Sequence, residues 1–113
     1  MQLLIFVLNK EEHLEEILEL FLELDIHGAT IIDSIGMGRI LAHDIPIFAG
    51  FRALMQESRP GNKTIFSVIQ DEKIPLVTDG IEQICGRLDE AGSGILITLP
   101  IGTVQGFNKK YTE

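Results

Sequence analysis

Two short runs in this chain are apolar on both faces when extended, and they restrict what it can fold into. Leu3 to Leu8 is unbroken, with Leu3, Ile5 and Val7 alternating to one side and Leu4, Phe6 and Leu8 to the other. Thr64 to Ile69 has the same character. Strands of this kind need cover above and below. The chain has 113 residues, a single domain's length, so there is little material to supply that cover.

The segments between these strands read as helices. Asn9 stands where a helix cap belongs, with Glu12 at the capping-box position. Leu14, Ile17, Leu18, Phe21 and Leu24 then recur at helical spacing, Leu20 and Leu22 widen the apolar side, and Gly28 ends the element. Ile74, Val77, Ile81, Ile84, Cys85 and Leu88 mark a second helix, with Pro75 in its first turn and Gly80 weakening its middle. Ala29 to Ile35, rich in β-branched residues, reads as the second strand. Ile95 to Ile101 reads as the fourth, where Pro100 implies an edge or a strand end. The tail from Gly102, with Lys109, Lys110 and Tyr111, either adds a short strand or stays loose.

The order is β-α-β, insertion, β-α-β. It predicts one α+β domain over residues 1–113, a ferredoxin-like βαββαβ sandwich with two helices on one face of a four-stranded antiparallel sheet. The other sheet face has no helix of its own. Exposed apolar patches of that size are rare in monomers, so a homo-oligomer is expected.

The insertion spans residues 37–62. Met37, Ile40, Leu41, Ile45, Ile47, Phe48, Phe51, Leu54 and Met55 make it too apolar for a free loop. Asp44 followed by Pro46 predicts a short helix near 46–56, closed by the turn from Ser58 to Asn62. Long connections of this sort are usually functional. Phe48, Phe51 and Arg52 are the expected contacts with a partner protein.

A net charge of −8 argues against a nucleic-acid partner. The acid is concentrated in Glu11, Glu12, Glu15, Glu16, Glu19, Glu23 and Asp25, the solvated face of the first helix. Cys85 has no partner for a disulfide and falls on an apolar stripe, so a buried thiol in a reducing cytoplasm is expected. The opening apolar run lacks the basic flank of a signal peptide, and no segment approaches the ~20 apolar residues of a membrane span.

Little in the chain asks for catalysis. His13, His27 and His43 are widely separated, outside metal-ligand spacings, and no nucleophile-base-orienter set is readable. The expectation is a non-enzyme, the one enzymatic alternative being His43 acting with Arg39 or Asp44. Two glycine turns stand out: Gly36-Met37-Gly38-Arg39 after strand two and Gly92-Ser93-Gly94 before strand four. As bare motifs both read as plain turns. Successive backbone N–H groups in such turns can also form an anion-binding concavity, and Arg39 adds a cation.

Gly28-Ala29-Thr30, then Gly36-Met37-Gly38-Arg39 and His43, resembles strand two and the T-loop base of the PII-like nitrogen regulatory protein family. Gly92-Ser93-Gly94 before an apolar strand resembles the end of that family's B-loop. The similarity runs over residues 1–104 in element order. It implies a homotrimer whose sheets face the three-fold axis, with a small-molecule effector in clefts between subunits. Adenine nucleotides are the family's ligands there, and the ligand sets the T-loop conformation that a target protein reads. On that pattern Thr30, Gly36, Met37, Gly38 and Arg39 line one wall, and Gly92, Ser93 and Gly94 of the neighbouring chain supply backbone donors from the other.

The chain departs from the family in its charges. Ile95 stands in place of the B-loop lysine, and Gly102 to Asn108 holds none of the C-terminal phosphate-binding arginines. Each lost charge-assisted contact is worth roughly 1.5–3 kcal/mol. Ile47 or Phe48 replaces the tyrosine that is uridylylated in some members. The alternative is therefore a protein-interaction module that binds no ligand.

Overall fold

A computed structural model describes residues 1–44, 61–90 and 92–107, with backbone only at 42–44. In chain order the elements are β1 (Gln2–Leu8), α1 (Leu14–Glu23), β2 (Thr30–Ser34), α2 (Met37–Asp44), β3 (Asn62–Ile69), α3 (Ile74–Cys85) and β4 (Gly94–Pro100). The four strands form one antiparallel sheet in the order β2-β3-β1-β4. This is an α+β architecture compatible with the ferredoxin-like arrangement. β4 is an outer strand and ends on Pro100, which has no N–H to offer a ladder.

The two βα halves repeat each other. β1 and β3 each bury alternate residues, and each leads through a single 3-10 turn, Glu11–His13 or Asp71–Lys73, into its helix. Leu4, Phe6 and Leu8 of β1 and Ile65 and Ile69 of β3 face Ile17 and Phe21 of α1 and Val77, Ile81 and Cys85 of α3. Each large side chain sealed in this way contributes roughly 1.5–3 kcal/mol. Where the helices cross, Gly80 brings them close: a Cβ there would sit 2.5 Å from Leu20 Cδ1. The glycine that weakens α3 intrinsically is what lets α1 approach it.

The opposite sheet face carries no helix among the described residues. The register lines up Leu3, Ile5 and Val7 with Val68 and Phe66 on one flank and with Leu99, Ile97 and Ile95 on the other. Ile95 is 59%, Ile97 43% and Leu99 46% exposed. The two-sided strands thus have one side sealed and one side open.

Several local expectations are corrected. Asn9 does not cap α1: the 3-10 turn begins after Lys10 without a side-chain cap, and the Asn9 Oδ1 instead accepts a hydrogen bond from Asn62 Nδ2 at 3.2 Å. Gly28 does not end α1 either. Asp25 adopts a left-handed φ of 61°, Ile26 N–H bonds Phe21 O at 2.8 Å and Asp25 N–H bonds Leu22 O at 3.0 Å. This is a Schellman closure, with Ile26 and Phe21 as its hydrophobic pair. α3 stops at Cys85, so Leu88 lies past its end, where its N–H bonds the Glu82 carboxylate at 2.9 Å. Residues 101–107 add no strand.

The Gly36–Arg39 stretch is not a free turn. Met37, Gly38 and Arg39 open α2, with Ile40 N–H reaching Gly36 O at 3.3 Å. Met37, Ile40 and Leu41 already stand at helical spacing, a signal outweighed by the two glycines. The short helix expected near 46–56, with Phe48, Phe51 and Arg52, lies outside the described residues, as do Lys109, Lys110 and Tyr111.

Asp25→Gly should raise unfolding stability by about 0.5–1 kcal/mol by relieving the left-handed backbone, whereas Asp25→Ala keeps that strain and should lower it; urea denaturation checks both signs. Cys85 is 3% exposed, and burial pushes its thiol above the ordinary 9.0. The folded state then holds the proton longer than the unfolded one, so stability declines as pH rises from the unfolded value toward the folded one. A thiol reagent should label Cys85 only as fast as the chain unfolds, and Cys85→Ala should remove part of the alkaline decline.

Candidate functional site

The C-terminal ends of β1 and β2 and the N-terminal ends of β3 and β4 meet at one end of the sheet. Both glycine segments lie there, Gly36–Arg39 leaving β2 and Gly92–Gly94 entering β4. They occupy opposite edges, since β3 and β1 stand between the outer strands. Three strand spacings put the edges about 14 Å apart. One chain therefore does not join the two segments into a single cleft. Thr30 lies at the other end of β2, paired with Phe66 on the open face.

Exposure differs along each segment. Gly36 and Met37 are exposed, Met37 at 76%. Gly38 and Arg39 are half-buried, and Arg39 already has an interaction partner. Across the sheet Gly92 is exposed, while Ser93 is buried with its hydroxyl close to Gly86. Gly94 has no alternative side chain: φ is 139°, and a Cβ would lie 2.4 Å from Val7 O. The strand-four corner is fixed by backbone contact with β1.

A polar cluster that sequence reasoning missed ties the stem of the insertion. Ser34 and Asn62 are direct cross-strand partners. The Ser34 hydroxyl contacts Asn62 Oδ1 and lies 2.7 Å from Thr64 Oγ1. Asn62 in turn reaches Asn9, so β2, β3 and the end of β1 are joined. Beside it Lys63 pairs with the Asp33 carboxylate, a hydrogen bond that holds the lysine above its usual 10.5. The lysine's proton persists at neutral pH and is lost as pH climbs past the raised value. Small polar residues at both ends of an insertion were the available signal, but pairing across 28 positions is not local.

The histidines expected at the surface bond to neighbouring acids, His13 to Glu16 at 3.0 Å and His27 to Asp25 at 2.7 Å. The side chains of His43 and Asp44 lie outside the described residues. Among the described residues no three His, Cys, Asp or Glu side chains are grouped to hold a metal, and no helix is long and apolar enough to cross a membrane.

Gly94→Ala should cost about 2–4 kcal/mol, combining left-handed strain with a backbone clash. Gly92→Ala, with open space around its φ of 89°, should cost about 1 kcal/mol. Paired urea melts should separate them clearly.

No protein-family model and no curated protein matches the chain.

Proposed function

We propose that the chain is a PII-like regulatory protein, a non-enzymatic homotrimer that binds a small effector between subunits and reports it to a target protein. One observation carries this reading: the two glycine segments share one end of the sheet but sit on opposite edges of a sheet whose second face is apolar and open. Packing that face against other copies would bury Leu3, Ile5, Ile97 and Leu99. The same packing would set one chain's β2 edge beside its neighbour's β4 edge. Gly36, Met37, Gly38 and Arg39 would then face Gly92, Ser93 and Gly94 of the adjacent subunit, with Thr30 on the open face at the far end of β2. The start of α2 adds N–H groups that lack intrahelical partners and suit an anionic group such as a nucleotide phosphate. The insertion, including Phe48, Phe51 and Arg52, would carry the signal to the target in the cytoplasm.

A second reading, an interaction module without a ligand, is favoured by Ile95. It offers an apolar surface where the family places a lysine. Light scattering should give a mass three times the 12.6 kDa of the chain. Titration calorimetry with adenine nucleotides, cyclic nucleotides and inorganic anions should then find a ligand whose affinity falls with Arg39→Ala. A protein that no ligand binds selects the second reading; a stable monomer defeats the first.

A further inference from the structure

On the helix side of the sheet the cover is incomplete at one flank. Outer strand β2 runs beyond the shelter of α1, leaving an open groove of about 260 Å³ between them. Leu18, Phe21 and Leu22 of α1 form one wall, Ile31 of β2 the other, and Ile26 and Ala29 close the end. Leu22 is 58% and Ile31 38% exposed. These side chains belong to the same apolar stripe that fills the core, but they extend past it.

The banks of this groove carry acid. At 100° per residue, Glu15 and Glu19 follow Leu18 and Leu22 around α1, and both are exposed. Asp33 stands two residues beyond Ile31 on the same side of β2, balanced by Lys63. Asp25 marks the end of α1, paired with His27. With Asp33 offset by Lys63, Glu15 and Glu19 leave the rim net negative.

We propose that this groove docks an amphipathic cationic segment of another protein, with a row of apolar side chains on its floor and lysine or arginine against Glu15 and Glu19. Charge selects this occupant. Anionic lipid or nucleic acid would meet the two glutamates on a chain of net charge −8. A second copy docking groove to groove would set the same glutamates against each other. The groove opens on the helix side of the sheet, whereas the proposed effector site uses one end of the sheet and its open face, so the two share strand β2 but not the same surface.

The test is a methyl NMR titration of the intact protein with a synthetic amphipathic helix of leucine and lysine, alongside the same peptide with glutamate for lysine. The lysine peptide should shift Leu18, Leu22 and Ile31 methyls, more weakly as salt is raised, and the glutamate peptide should not. Glu15→Lys with Glu19→Lys should weaken binding about tenfold or more. Both positions are exposed, so the urea midpoint should move only by the small helix-dipole cost of reversing Glu15 in the first turn of α1, and a cooperative melt separates the loss of binding from misfolding. Absence of shifts, or equal binding of the glutamate peptide, overturns the proposal. So does a change in the protein's own oligomeric mass on Leu22→Asp, which would assign the groove to a second copy.

Discussion

The fold depends on an imbalance between strands that are apolar on both faces and helices that reach only one of them. β1 and β3 place Leu4, Phe6, Leu8, Ile65 and Ile69 beneath α1 and α3 at near-zero exposure, which is a complete core for a small domain. The alternate residues Leu3, Ile5, Val7, Phe66 and Val68 are apolar too, and pleating turns them to the opposite face. No described element covers the second face. The residues that seal the core and those left on the open face thereby alternate along the same two strands.

The elements with strong periodicity were legible from sequence. β1, β3, α1 and α3 announce themselves through alternation or a 3.6-residue repeat, and the helix-side residues follow from that alone. Element ends were less legible because they rest on backbone geometry. Gly28 looked like the terminator of α1, yet Asp25 takes the left-handed position because Phe21 and Ile26 close the Schellman pair. α2 was missed for a related reason. Gly36 and Gly38 are poor helix formers, but near an N-terminus a glycine costs little and the spacing of Met37, Ile40 and Leu41 prevails.

The candidate site was legible in its ingredients and not in its arrangement. That Gly36–Arg39 and Gly92–Gly94 share one end of the sheet follows from strand direction. Their separation by two intervening strands follows from strand order, which composition does not encode. The Ser34, Asn62 and Thr64 cluster depends on register, a non-local property of β2 against β3. The family resemblance assigns Gly94 an N–H for a ligand. Its closer constraint is the Val7 carbonyl beside it, so this corner answers to β1 first.

The Ser34–Asn62 pairing has a consequence for how such a chain can diversify. It pins the two ends of a 28-position excursion side by side. Closure entropy varies only logarithmically with loop length, about 0.6 kcal/mol per doubling. Lengthening, shortening or rewriting the intervening segment would barely disturb the scaffold. A polar stitch of this kind lets one stretch of sequence evolve at its own pace while the residues that fold the domain stay under separate selection.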